Sequence, residues 1–288
     1  MARYIVDVHT HSSYSSDSEE ELSVMLETAR KKGLLFYGVS EHFDYDLGDE
    51  AREYRDENGE TWIDIDEEAY FHGARHLQED YEGCLNVLIG AEFGFSDDPA
   101  MQKRYLEIWE KYRPDFIVNS IHGNKGWDYW ARQPFYKTGA NGKKIVLPRE
   151  EVYREYLASV RASLDVIYPY DIVGHIGYPT RYAPYEDRRI TMAEFGEQID
   201  DILRTIIAKG KILELNTSNK GGVSRFLPSD EIIKRYYALS GRKISYGSDA
   251  HDRTRVADKF DEATAFLKEV GFTHLTVPCK GEHVEIEL

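Results

Sequence analysis

Short β-branched apolar runs alternate with longer stretches of helical periodicity through almost the whole chain. This alternation constrains the fold more than any other feature of the sequence. The apolar runs fall at residues 4–8, 36–40, 85–91, 116–121, 172–175, 212–216 and 243–247. Helical patterns fill the gaps at 19–32, 66–80, 99–112, 149–167, 191–209, 229–239 and 255–270. In the first of these Leu22, Met25, Leu26 and Ala29 share one face. Ser18 is its candidate N-cap, with Glu21 three residues on, and Gly33 stops it. Seven strand-then-helix units in succession imply parallel strands. A closed or nearly closed α/β barrel is the economical arrangement.

Residues 274–277 and 283–286 read as a terminal strand or hairpin. No repeat, low-complexity tract or interdomain linker breaks the pattern, so residues 1–288 are expected to form a single domain. Two insertions follow strands directly, near 43–63 and 123–148. The first is acidic with two glycines. The second carries Trp127, Tyr129, Trp130, Arg132, Phe135, Tyr136 and several lysines. Both should lie at the strands' C-terminal ends, where barrel enzymes place their chemistry.

At 288 residues, with 41% hydrophobic and 31% charged residues, the chain can bury a large core beneath a polar surface. Its formal net charge of -16 repels nucleic-acid phosphates and anionic membranes, so a small molecule is the expected partner. Bound cations would offset part of that charge. Two cysteines far apart, Cys84 and Cys279, exclude a disulfide framework and fit a reducing cytoplasm. No apolar run approaches the roughly 20 residues needed to span a bilayer. The first residues also lack the apolar core and cleavage site of a signal peptide. Oligomeric state is left open.

Chemistry-bearing residues follow the strands one after another. His9 and His11 come after the first run and His42 after the second. Glu92, His122 and His175 come after the third, fourth and fifth, and Asp249 with His251 after the last. His9 and His11 are two apart, so both point to one side of an extended chain, and Asp249 and His251 repeat the spacing. A single histidine at a strand end is ordinarily just a hydrogen-bonded residue. Six of ten histidines in equivalent positions are a different matter. Imidazole and carboxylate donors suit zinc, iron or manganese, and there are more of them than one tetrahedral ion can use. Two to three divalent ions are therefore expected. His72 and His76 have helical spacing but no intervening protease-type Glu, and read as a solvated face. His274 and His283 carry no motif.

The segment Asp7-Val8-His9-Thr10-His11-Ser12 resembles the opening motif of the PHP (polymerase and histidinol phosphatase) family. Glu41-His42 is similar to its second motif, commonly Asp-His, and Gly90-Ala91-Glu92 to its bridging-carboxylate motif. Ser120-Ile121-His122, Gly174-His175 and Ser248-Asp249-Ala250-His251 resemble the others. The resemblance covers almost the whole chain and implies a distorted (β/α)7 TIM-like barrel with a trinuclear metal centre. Carried onto these residues, it implies one ion at His9, His11, Glu92 and Asp249. A second lies at Glu92, His122 and His175, with Glu92 bridging, and a third at His42 and His251. Asp17 stands where relatives place a further ligand to the third ion, although it could instead cap the first helix.

A centre of this kind activates water as a metal-bound hydroxide and clamps phosphate oxygens. Phosphomonoester hydrolysis is therefore the expected reaction, with Asp249, His251 and Glu92 in catalytic roles. No P-loop, dinucleotide fingerprint or Gly-x-Ser-x-Gly elbow competes with it. Arg181 and Arg225, on loops after two strands, are candidate phosphate clamps, since a guanidinium grips phosphate bidentately. Either could equally be an ordinary surface arginine. Length, element order and this Arg pair resemble the histidinol-phosphate phosphatase branch. For that substrate Trp127, Tyr129, Trp130 and neighbouring acids would accept the cationic end. Two features depart from the branch and leave the ester's identity open: His175-Ile176-Gly177 lacks a following Asp, and the loop after His122 is long and aromatic. The alternatives are a PHP phosphoesterase for another small ester or nucleotide, a non-catalytic metal-binding protein, and a C–N hydrolase of the amidohydrolase type.

Overall fold

The computed structural model describes residues 5–55, 59, 61–140, 142–219 and 222–288. Tyr4 of the first expected strand lies outside the described residues. So do 56–58, 60 and 141 of the two insertions.

In chain order the strands are β1 (Ile5–Asp7), β2 (Leu34–Val39), β3 (His42–Phe43), β4 (Asn86–Ile89), β5 (Ala91–Gly94) and β6 (Ile117–Ser120). Two ribbons follow within the second insertion, β7 (Gly123–Asn124) with β8 (Trp127–Asp128) and β9 (Tyr136–Thr138) with β10 (Lys144–Val146). Then come β11 (Ile172–Val173), β12 (Ile212–Asn216), β13 (Ile244–Gly247) and the hairpin of β14 (His274–Cys279) with β15 (Glu282–Glu287). Two parallel sheets result, with orders β1-β2-β4 and β13-β12-β11-β6-β5-β3. Ile117–Ser120, Ile212–Asn216 and Ile244–Gly247 are buried at every residue, as strands of parallel sheets covered on both faces must be.

The second and third expected strands each break in two. β2 passes through Ser40 and Glu41 into β3, and β4 passes through Gly90 into β5. A Cβ on Gly38 or Gly90 would lie 2.8 or 2.5 Å from the Phe116 ring, so the ring fills the space these glycines leave. The sheets remain joined across the breaks, because Gly90 N donates to Val39 O (2.8 Å) and Glu92 N to Glu41 O (2.9 Å). At the other end Val8 N donates to Tyr246 O (3.3 Å), Asp249 N to His9 O (2.8 Å) and His11 N to Ala250 O (2.8 Å). These bonds lay the chain after β1 alongside the chain after β13.

Helices α1 (Leu22–Lys31), α2 (Asp49–Glu53), α3 (Glu67–Asp80), α4 (Pro99–Tyr112), α5 (Arg149–Ser163), α6 (Met192–Ala208), α7 (Asp230–Ala238) and α8 (Phe260–Val270) fill the connections. Several carry the caps their sequences suggest. Asp66 accepts from Ala69 N, and Thr191 accepts from Glu194 N and donates to Glu194 Oε2. Ser18 does not cap α1. The helix begins later, with Glu21 at its N-cap, and the Ser18 hydroxyl donates to His251 O (2.6 Å). The last helix also starts later than its periodicity suggests, after a short 3-10 turn at Arg253–Arg255. Among the described residues no helix is long and apolar enough to cross a membrane.

Candidate metal centre

Parallel pairing brings residues distant in sequence to one edge. His42 on β3 sits in register with Glu92 on β5. His122 follows β6, His175 follows β11, and His9, His11, Asp249 and His251 follow the paired ends of β1 and β13. Glu92 stands at the middle, fully buried. Its Oε1 lies 2.8 Å from His175 Nε2 and 3.1 Å from His122 Nε2, and accepts the Ser120 hydroxyl at 2.6 Å. Its Oε2 lies 3.0 Å from His42 Nδ1, 3.3 Å from His9 Nε2 and 3.6 Å from His11 Nε2. One carboxylate thus faces five imidazoles.

Asp249 adjoins this group from β13, with Oδ1 3.4 Å from His11 Nε2 and 3.6 Å from His251 Nδ1. It holds left-handed backbone (φ 52), a conformation Asp tolerates better than most residues and one typical of strained functional positions. Asp17 completes the outer edge, with Oδ2 2.9 Å from His251 Nε2 and 3.6 Å from His42 Nε2. It turns to the histidines and does not cap α1.

The donor chemistry fits divalent cations. His9 Nε2, His11 Nε2, His42 Nδ1 and Glu92 Oε2 are buried and make no hydrogen bond among the described residues, a costly state unless a cation takes their lone pairs. Donor atoms lie within 4.8 Å of one another in four overlapping sets: His9–His11–Glu92, His42–Glu92–His122, His9–His175–Asp249 and His11–His42–His251. Burial, with His42 and His251 alongside, holds His11 well below the usual imidazole range, in its neutral, ligating form. Burial alone would raise the Glu92 carboxyl, but His9, His122 and His42 together hold it well below the carboxylate range.

A second layer of carboxylates fixes the imidazoles. Glu214, within β12, places Oε1 2.6 Å from His9 Nδ1, and its Oε2 accepts the His175 backbone N–H at 2.6 Å. Asp44 Oδ1 lies 2.9 Å from His122 Nδ1. Such partners set the tautomer so that the other ring nitrogen faces inward. Glycines make room for them. A Cβ on Gly247 would lie 2.3 Å from Glu214 Oε1 and 2.6 Å from His9 Cβ, and one on Gly94 would lie 2.0 Å from Asp44 Oδ1. Neither carboxylate was among the sequence candidates. Both left a signal: Glu214 interrupts an apolar strand, and Asp44 repeats behind His42 the spacing of His9 and His11.

The two candidate arginines part company. Arg181 reaches the site, with Nη2 3.0 Å from Asp249 Oδ2 and 3.3 Å from Asn216 Oδ1, and its guanidinium lies 5.1 Å from the Tyr178 ring centre. Arg225 does not. Asp230, in the first turn of α7, captures it, Glu262 lies 3.6 Å away, and it rests over Phe226 and Phe266. The aromatic expectation narrows as well. Tyr129 is fully buried against Phe135 and Tyr156, and Trp127 packs on Tyr54. Trp130 alone of the three lines a cavity with His42 and His122. His72 and His76 lie on an exposed helix face.

The chain is similar to known proteins over almost its whole length. A Clostridium acetobutylicum protein named "probable histidinol-phosphatase" is 29% identical over 261 residues, covering 90% of this chain and 91% of its own. The histidinol-phosphatase of Lactococcus lactis subsp. lactis is 28% identical over 273 residues, covering 94% and 93%. The crystal structure of histidinol phosphate phosphatase from L. lactis, complexed with zinc, L-histidinol and phosphate, superposes with a TM-score of 0.79. Its 24% identity spans 97% of this chain and 98% of that one. The PHP domain model matches residues 7–218, which contain all but two of the inward-facing donors described above, and the chain therefore belongs to the PHP domain family.

Proposed function

We propose that this protein is a metal-dependent phosphomonoesterase, and that it is a histidinol-phosphate phosphatase converting L-histidinol phosphate to L-histidinol and phosphate. The observation that carries the reading is the Glu92 carboxylate facing five imidazoles, with unpaired donor atoms turned inward. The relatives named for this activity, matched over nine-tenths of the chain, supply the substrate. In this reading the two sheets form one distorted (β/α)7 TIM-like barrel. The hydrogen bonds between the segments after β1 and β13 support that closure, and residues 1–288 act as a single domain.

Two to three divalent ions, zinc, iron or manganese, would be held by His9, His11, Asp17, His42, Glu92, His122, His175, Asp249 and His251. Bound there, they would supply positive charge that activates water and neutralises the phosphate. The chain's own groups do the rest. Glu92 keeps five imidazoles in one cluster. Arg181 and Asn216 occupy Asp249 Oδ2, which turns Oδ1 toward His11 and toward any cation beside it. The same Arg181 guanidinium has further N–H groups for a phosphate oxygen, and its Nε is buried without a partner among the described residues. His251, the most exposed of the imidazoles, is held by Asp17 at Nε2 (2.9 Å), which fixes the outer edge of the cluster. Turnover of a phosphomonoester panel by protein with measured zinc, iron and manganese content tests the assignment. L-histidinol phosphate should give the highest kcat/KM. Preference for another ester would remove that substrate but leave the phosphatase.

A further inference from the structure

Part of the site's wall comes from the two insertions instead of from strand ends. Trp62 from the first, with Asp128 and Trp130 from the second, line a cavity of 290 Å³ together with His42 and His122. The insertions hold one another in place. Gly48 N donates to Gly126 O (2.9 Å), and the Tyr54 ring meets Trp127 and Trp130 edge-on, each at 5.8 Å. The cavity wall contains Asp17, Glu19, Asp44 and Asp128 and, among the described residues, no lysine or arginine. Two of these acids are occupied, Asp17 by His251 and Asp44 by His122, and Glu19 is exposed.

Asp128 is different. It is only 8% exposed and has no ion-pair partner among the described residues. Its Oδ1 accepts from Trp130 N (2.6 Å) and Tyr178 Oη (3.2 Å). Its Oδ2 takes no hydrogen bond from any described residue and is not among the sealed-off polar atoms. A nearly buried carboxylate with one free oxygen, beside aromatic rings and with no lysine or arginine in the wall, is suited to an ammonium group supplied from outside.

We propose that Asp128 is a specificity-determining residue, whose Oδ2 receives the ammonium group of a cationic phosphomonoester while the organic part lies between Trp62, Trp130, Tyr178 and Tyr182. The proposal rests on the phosphatase reading and adds to it that the insertions, and not the metal ligands, choose the alcohol. Asp128→Asn is the suitable variant, because its amide oxygen still accepts from Trp130 N and Tyr178 Oη and so preserves the loop. Two quantities are measured on metal-loaded wild type and variant. One is the ratio of kcat/KM for L-histidinol phosphate over phenyl phosphate, whose alcohol is uncharged. The other is the affinity for L-histidinol by calorimetry. The ratio should fall by about 10- to 100-fold, chiefly through KM, and L-histidinol should bind more weakly by a similar factor. A merely structural Asp128 would lower both esters together, and an unchanged ratio overturns the proposal. Should the wild type hydrolyse neither ester, the phosphatase reading fails and calorimetry alone decides: weaker L-histidinol binding by the variant supports the proposal. Equal binding, or no binding by the wild type, overturns it.

Discussion

Glu214 Oε1 lies 2.6 Å from His9 Nδ1, across 205 residues of sequence, and both groups are fully buried. The contact fixes which nitrogen of His9 carries the proton. With Nδ1–H donated to Glu214, the Nε2 lone pair faces Glu92 and any cation beside it. Glu214 does a second thing at once, since its other oxygen holds the backbone at His175. One carboxylate therefore sets the imidazole of His9 and anchors the backbone that carries His175.

Replacing Glu214 with Gln should weaken metal binding by about 10- to 100-fold while the fold persists, the usual effect of losing an outer carboxylate behind a ligating histidine. Metal retained after dialysis against graded chelator reads this directly. Wild-type retention, with an unchanged circular dichroism spectrum, would show that His9 does not depend on Glu214.

The inward-facing donors were legible because strand ends repeat at regular intervals and because His9 and His11, like Asp249 and His251, obey the two-residue period of an extended chain. Asp44 obeys the same period behind His42. It went unread because β3 is a two-residue strand beyond a break that no apolar pattern marks. Glu214 was hidden for the opposite reason, lying inside a strand whose apolar run described it adequately. Ser18 and Asp17 both have capping chemistry, and only tertiary packing shows that both turn to His251. Arg225 follows its strand as plausibly as Arg181. What separates them is Asp230, five residues on, whose position depends on where α7 begins.

Glu92→Gln should be far more damaging than loss of Glu214, because Glu92 supplies the negative charge that five imidazoles share. Metal content should drop well beyond the roughly 10- to 100-fold effect of an outer-layer change, and turnover should vanish into background. The amide retains the volume, so thermal unfolding should still be cooperative. Near-native hydrolysis by this variant would remove Glu92 from the centre.

Gly247→Ala tests the packing that admits Glu214. The added methyl would overlap Glu214 Oε1 and His9 Cβ at 2.3 and 2.6 Å, so one of them must move. Overpacking of this kind costs about 1–3 kcal/mol of stability. Because the displaced atoms belong to the His9–Glu214 pair, metal affinity should fall along with the melting temperature. A destabilised variant that binds metal normally would mean that the strand, not the pair, absorbs the methyl.

Arg181 and Arg225 give the sharpest contrast, because the sequence offers them as equals and the structure does not. Arg181 is nearly buried, touches Asp249 and Asn216, and lies over Tyr178, which is itself packed on His122 and His175. A charged hydrogen-bonding group in that setting is worth about 1.5–3 kcal/mol, or roughly 10- to 100-fold in kcat/KM. If its phosphate contact is equally strong in the ground and transition states, Arg181→Ala raises KM and spares kcat. If it acts through Asp249, kcat falls as well, and the split between the two constants tells which. Arg225 is half exposed and engaged by Asp230 and Glu262, where surface ion pairs contribute about 0–1 kcal/mol. Arg225→Ala should therefore leave kcat/KM within about twofold of wild type and shift stability only slightly. A loss of activity matching that of Arg181→Ala would mean that the loop bearing Arg225 swings over the substrate during turnover, releasing Asp230 to do so.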